Sequence, residues 1–145
     1  MARIGIDIVE VAQVRASIEA FGDRYVSRVY SARERADSAG SPDRLAARFA
    51  AKEATLKVLS QGDRGVDWRS IEVVRGENGE PRIELAGVAH DLAQSLGLVN
   101  ITVSMSHDAE YATAVVLAEL KRDRARRGSF ALRRKLGRRR ETRCR

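Results

Sequence analysis

The sequence predicts one α+β domain over residues 1–120, mainly antiparallel sheet packed against a long helix, followed by an Arg-rich tail over residues 121–145. Three observations carry this. Residues 3–11 alternate like a strand. Apolar residues at helical spacing fill much of residues 11–59. Two later pairs of strand-like runs each surround a short connection.

In order along the chain, Ile4, Ile6 and Ile8 fall on one face of the first strand, and Gly5, Asp7 and Val9 on the other. Val11, Val14, Ile18 and Phe21 then recur at three- and four-residue spacing, and Gly22 closes that helix. Ser31 with Glu34 three residues on is a capping box opening a short helix that ends near Gly40. Ser41 and Pro42 form an N-cap and N1 pair for a longer helix reaching about Leu59. Residues 61–65 are a loop. Ile71 to Arg75 and Pro81 to Leu85 are strands around the hairpin signal Gly76-Glu77-Asn78-Gly79. Gly87 to Leu96 is a helix capped by Gly97. Ile101 to Ser106 and Tyr111 to Leu120 are strands, and Ala112 to Leu117, apolar on both faces, belongs at the centre of the sheet.

Composition bounds the function. The 145 residues suffice for one domain with a core, and 32% charged with 5% aromatic residues is ordinary for a soluble α/β or α+β protein. No run approaches the roughly 18 consecutive apolar residues of a membrane span. With no signal-peptide pattern at the start, the cytoplasm is the expected compartment. Cys144 is the one cysteine, so no intrachain disulfide forms. The net charge of +7 divides unevenly: residues 1–120 carry 14 Lys+Arg against 18 Asp+Glu, and residues 121–145 carry 13 against 2. The folded part is mildly acidic, so the high pI is no argument for a nucleic-acid-binding domain.

Within residues 1–120 the only lysines are Lys52 and Lys57, with Glu53 between them; every other cation there is arginine or histidine. Lysine is a compact point charge, suited to one phosphate oxygen or to proton transfer, where arginine is a planar fork. Leu45, Phe49, Leu56 and Leu59 fall within an arc of about 80° on the helix, and Lys52 falls inside it, so Lys52 must snorkel or meet an anion. Glu53 and Lys57 alone read as a surface i,i+4 pair, worth about 0.3–0.5 kcal/mol. The alanines at 46, 47, 50, 51 and 54 allow close backbone approach. Asp7 interrupts an aliphatic strand; a buried carboxylate there needs a hydrogen-bonding partner or a metal. His107 follows a strand with hydroxyls on one face, and taken alone it is an ordinary turn residue. His90 has no assigned role.

Gly5-Ile6-Asp7-Ile8-Val9-Glu10-Val11, Arg48-Phe49-Ala50-Ala51-Lys52-Glu53-Ala54 with Lys57, and Ser104-x-Ser106-His107 before a last apolar strand occur in this order. The pattern closely resembles the holo-acyl-carrier-protein synthase family, the short, single-lobe type of 4′-phosphopantetheinyl transferase, over about residues 3 to 119. The resemblance implies transfer of 4′-phosphopantetheine from coenzyme A to a serine of an apo acyl carrier protein, with release of adenosine 3′,5′-bisphosphate. It implies Mg²⁺ held by Asp7 and Glu53, with Glu53 also the base for the serine and Lys57 serving the leaving phosphate. It implies cofactor contacts from Arg48, Lys52, Lys57, Gly62, Gly65, Ser106 and His107, with Arg44 a weaker candidate. For Lys52 a structural role stands beside that reading. The family's Gly-Thr-Gly-like loop is replaced here by Ser60-Gln61-Gly62-Asp63-Arg64-Gly65. Arg15, Arg24 and Arg28 match the carrier-docking region, with Gln13 where arginine is common. A single lobe implies a homotrimer with sites at the interfaces.

The tail lies outside the family's usual length. It is read as an electrostatic lure for acidic carriers, a nonspecific nucleic-acid arm, or a neutral extension. The rivals to an enzyme are a nucleic-acid binder with a basic arm and an inactive scaffold.

Overall fold

A computed structural model describes residues 1–60 and 65–121. Gly62 and the expected tail from residue 122 onward lie outside the described residues. The chain runs β1 (Ala2–Glu10), α1 (Val11–Phe21), α2 (Asp23–Val29), α3 (Ala32–Ser38), α4 (Pro42–Val58), a 3₁₀ turn (Trp68–Ser70), β2 (Ile71–Arg75), β3 (Pro81–Leu85), α5 (Gly87–Ser95), β4 (Leu98–His107) and β5 (Tyr111–Leu120). The class is α+β, with antiparallel sheets and helices. One sheet has the order β1-β5-β4, and β2 and β3 form a separate hairpin.

The strand that is apolar on both faces, β5, is the central one. The Ser31 capping box is present in both directions: Ser31 Oγ accepts from the Glu34 N–H, and the Glu34 carboxylate accepts from the Ser31 N–H. Pro42 opens α4 as expected, although Ser41 makes no side-chain cap and its hydroxyl bonds the Asp43 carboxylate instead. Two elements differ from the sequence reading. Asp23–Val29 forms a second helix, set off from α1 by Gly22 at φ 55°, which an L side chain rarely adopts. β4 begins at Leu98, because an irregularity between Val99 and Thr102 lets the strand continue past Asn100 at φ 51°.

The largest difference concerns α4. An apolar arc predicts one buried face, but burial runs nearly all the way round the helix; Phe49, Glu53 and Lys57, one turn apart, are the residues of 45–58 left outside it. β1 and β5 cover one side of α4, and α1, α3, β2 and β4 cover others. The buried alanines at 46, 47, 50, 51 and 54 permit this approach. Gly5 completes it: a Cβ there would run into the Ala54 carbonyl oxygen and Val58 Cγ2.

The alternation in β1 is as read, but its faces are not both buried. Gly5, Asp7 and Val9 turn toward α4, while Ile4, Ile6 and Ile8 are 66%, 60% and 66% exposed. Register places Ile4 beside Leu117 and Thr102, Ile6 beside Val115 and Ser104, and Ile8 beside Thr113 and Ser106. The outer face of the sheet therefore carries an apolar stripe bordered by hydroxyls.

Candidate active site

Two groups of polar side chains flank α4. The first joins α4 to β1. Close packing at Gly5 brings the strand onto the helix, and Asp7, two residues on, turns to the same side. Lys57 Nζ donates to Asp7 Oδ1 at 2.9 Å and to the Ile6 carbonyl at 2.6 Å. Glu53 lies one helical turn before Lys57 on the same face. β1 runs against α4, with Arg3 at Val58 and Gly5 at Ala54. Asp7 is thus a carboxylate on an inner sheet face, stabilised by an ammonium and still partly open to solvent.

The second group lines a cavity of about 320 Å³ beside the N-terminal half of α4. Arg44 and Arg48 come from the helix, Asp37 from the end of α3, Val73 to Arg75 from β2, and Met105 and His107 from β4. Arg48 is buried, donates to the Arg44 carbonyl at 3.3 Å and stands 3.9 Å from Asp37 Oδ2. Burial lowers the pKa of its guanidinium, against the pull of Glu34 and Asp37. Arg48 Nε and Asp37 Oδ2 are buried with no hydrogen-bond partner. A cavity with three arginines, a histidine and an unsatisfied Arg48 Nε–H donor has the chemistry to take an anion, with the Asp37 carboxylate opposing it. His107 Nδ1 is 2.9 Å from Asp43 Oδ2. The Ser41 hydroxyl, first, holds the Asp43 carboxyl below its usual range, with His107 adding to the effect.

Three residues expected to contact the cofactor lie away from that cavity. Lys52 does not reach either group: its side chain is 0% exposed, and its ammonium donates to Glu34 Oε2 at 2.8 Å, the Trp68 carbonyl at 2.9 Å and the Ile71 carbonyl at 2.5 Å. The anion it meets is Glu34. Ser106 points away from the cavity, since side chains alternate along β4 and Met105 and His107 take the inner face. Gly65 lines a different cavity with Asp67, Arg69 and Gly87.

The sequence reading missed Asp37, Asp43 and Arg75. Each is one charge among many on a charged chain, and only the meeting of α3, α4, β2 and β4 distinguishes them. Arg15, Arg24 and Arg28 lie exposed on α1 and α2. Among the described residues no group of three or more His, Cys, Asp or Glu side chains could hold a metal by itself, and no helix is long and apolar enough to cross a membrane.

The chain is 44% identical over 130 residues to the holo-[acyl-carrier-protein] synthase of Chloroflexus aurantiacus, covering 79% of this chain and 95% of the relative. It is 46% identical over 116 residues to that of Clavibacter michiganensis, covering 80% and 93%. The fold resembles the Chronobacterium ammoniagenes ACPS-CoA complex, with a TM-score of 0.74 at 32% identity, covering 84% of this chain and 99% of that one. It also resembles Helicobacter pylori holo-[acyl-carrier-protein] synthase in complex with coenzyme A, with a TM-score of 0.73 at 27% identity, covering 81% and 100%. The model of the 4′-phosphopantetheinyl transferase superfamily matches residues 3–116. That match runs from the first strand to within the last and takes in both groups of side chains around α4, and the chain belongs to this superfamily.

Proposed function

We propose that the protein transfers 4′-phosphopantetheine from coenzyme A to a serine of an apo acyl carrier protein and releases adenosine 3′,5′-bisphosphate. The observation that carries this is Lys57 bridging onto Asp7 with Glu53 one turn away, on the same helix whose N-terminal half lines a cavity with arginines. The serine oxygen forms a bond to the pantetheine-side phosphorus of the pyrophosphate. The bond from that phosphorus to the bridging oxygen breaks, and the serine proton leaves to a base. Such transfers are catalysed chiefly by positioning and by neutralising charge on phosphate oxygens.

The chain's residues divide this work. Glu53 accepts the serine proton. The Lys57 ammonium offsets charge growing on the leaving phosphate. Arg48, Arg44 and His107 hold the 3′-phosphate of coenzyme A in the cavity, with Arg75 opposite. Asp7 and Glu53 fit Mg²⁺: two hard carboxylates are what this ion takes from a protein when substrate oxygens and water fill the rest of its octahedron. When bound, Mg²⁺ supplies Lewis-acid polarisation of the phosphoryl group.

The outer sheet face supports assembly. Ile4, Ile6, Ile8 and Val115 expose an apolar stripe of a kind that marks an interface, and a homotrimer buries it. Exposed Arg15, Arg24 and Arg28 suit an acidic carrier protein.

The test is to mix the protein with coenzyme A, Mg²⁺ and an apo carrier protein and weigh the carrier. A gain of about 340 Da, the mass of the added arm, is expected. No gain with carriers of either fatty-acid or polyketide type overturns the proposal.

A further inference from the structure

We propose that the buried Glu34–Lys52 ion pair is a positioning device for the active site, setting the rotation of α4 and its distance from β2. This rests on the transferase reading above. Both side chains are 0% exposed. Lys52 has three ammonium protons and three acceptors, on Glu34, Trp68 and Ile71. Glu34 Oε2 also accepts the Ser31 N–H at 2.9 Å, and Oε1 accepts the Val73 N–H at 2.9 Å. One carboxylate and one ammonium thereby tie α3, α4, the 3₁₀ turn and β2 together.

Stability alone does not explain such a pair. Taking two charges out of water is costly, and well-packed apolar side chains of similar volume often serve the fold as well or better. What an ionic pair adds is direction, since each bond constrains distance and angle where apolar contact permits sliding.

The direction matters because of what lies next to Lys52. Successive helix residues are about 100° apart, so holding Lys52 inward sets the bearing of Glu53 beside it and of Lys57 beyond. One turn earlier, the same constraint aims Arg48 at the cavity. On the other wall, Glu34 grips Val73, and Val73 to Arg75 line that cavity opposite Arg44 and Arg48. The pair therefore spans the two walls between which the anion would sit, and touches neither substrate nor metal in this reading.

The experiment compares Glu34→Gln, Lys52→Met and the double variant Glu34→Leu/Lys52→Met in the full chain. Each is measured for thermal midpoint, for kcat and KM toward coenzyme A, and for binding of adenosine 3′,5′-bisphosphate by calorimetry. Removing one partner strands a buried charge, so Lys52→Met lowers the midpoint; the double variant removes both charges but leaves the Ser31 and Val73 N–H groups and the Trp68 and Ile71 carbonyls without these partners, so it regains only part of it. The proposal expects the double variant, folded at the assay temperature, to lose at least tenfold in kcat/KM and to bind the nucleotide more weakly. A purely structural pair would instead give activity in proportion to the folded fraction. Should the double variant not fold, Glu34→Gln is assayed where circular dichroism shows it folded, with the same tenfold loss expected. Folded variants with kcat/KM within threefold of the wild type overturn the proposal. A wild-type protein that loads no carrier overturns the transferase reading instead, which separates the two failures.

Discussion

Lys57 Nζ reaches across 50 residues of chain to sit 2.9 Å from Asp7 Oδ1, and one of only two lysines in residues 1–120 thereby ties the long helix to the first strand. The side chain is 52% exposed, so this pair adds less than about 1 kcal/mol to stability. The proposed mechanism gives Lys57 a further role. Lys57→Ala is expected to lower kcat by about 10²-fold or more, the loss seen when one preorganised charge-stabilising donor is removed. The thermal midpoint should barely move. Full activity in this variant would remove Lys57 from the mechanism.

Glu53→Gln keeps the shape of the side chain and removes its charge. In the proposed site that costs both a base and a metal ligand. The variant is expected to need at least about tenfold more Mg²⁺ for any residual turnover, since even partners behind a ligand are worth 10–100-fold. Calorimetry with Mn²⁺ in place of Mg²⁺ checks the affinity without relying on turnover. Unchanged affinity would rule Glu53 out as a ligand.

Gly5→Ala tests the approach of β1 to α4. The added methyl meets a backbone carbonyl, which cannot rotate away as a side-chain end can. Overpacking of this kind costs about 1–3 kcal/mol. Chemical denaturation should report that loss, and kcat should fall as well, because Asp7 follows the displaced strand. A variant as stable as the wild type would show that the contact yields more easily than its geometry implies.

The arginine cavity makes a prediction about discrimination. Arg48→Ala is expected to raise KM for coenzyme A by about tenfold or more, one charge-assisted contact being worth about 1.5–3 kcal/mol. KM for 3′-dephospho-coenzyme A should change much less, because that substrate lacks the group Arg48 holds. Equal effects on both substrates would place the 3′-phosphate elsewhere.

The exposed isoleucine stripe predicts the oligomeric state. Light scattering on a sizing column should give three times the chain mass. Ile6→Glu, placing charge beside Val115 and Ser104 at the middle of the stripe, should give monomers with strongly reduced transfer. A monomeric wild type with full activity would contradict the assembly.

How much of this was legible beforehand varied by feature. The Ser31 capping box, the Pro42 helix start and the central place of β5 depend on local pattern, and each appears in the structure as read. α2 escaped because seven residues with one buried valine carry little periodic signal. The all-round burial of α4 escaped because alanines at its flanks look neutral until neighbouring elements close on them. Lys52 stood out correctly as a charge in an apolar arc. Its partner lies 18 residues earlier, inside a capping box whose glutamate already had an apparent purpose.

The sequence alone determined the family, the α+β class and the residues that carry charge near the long helix, because motif spacing and periodicity are properties of neighbours along the chain. Which lysine faces β1 and which is sealed inside, which face of β1 meets the helix, and which arginines share a cavity were decided by tertiary structure. Those outcomes depend on desolvation and on partners far away in sequence, and the cost of a buried ammonium has no value until the carboxylate that meets it is in place.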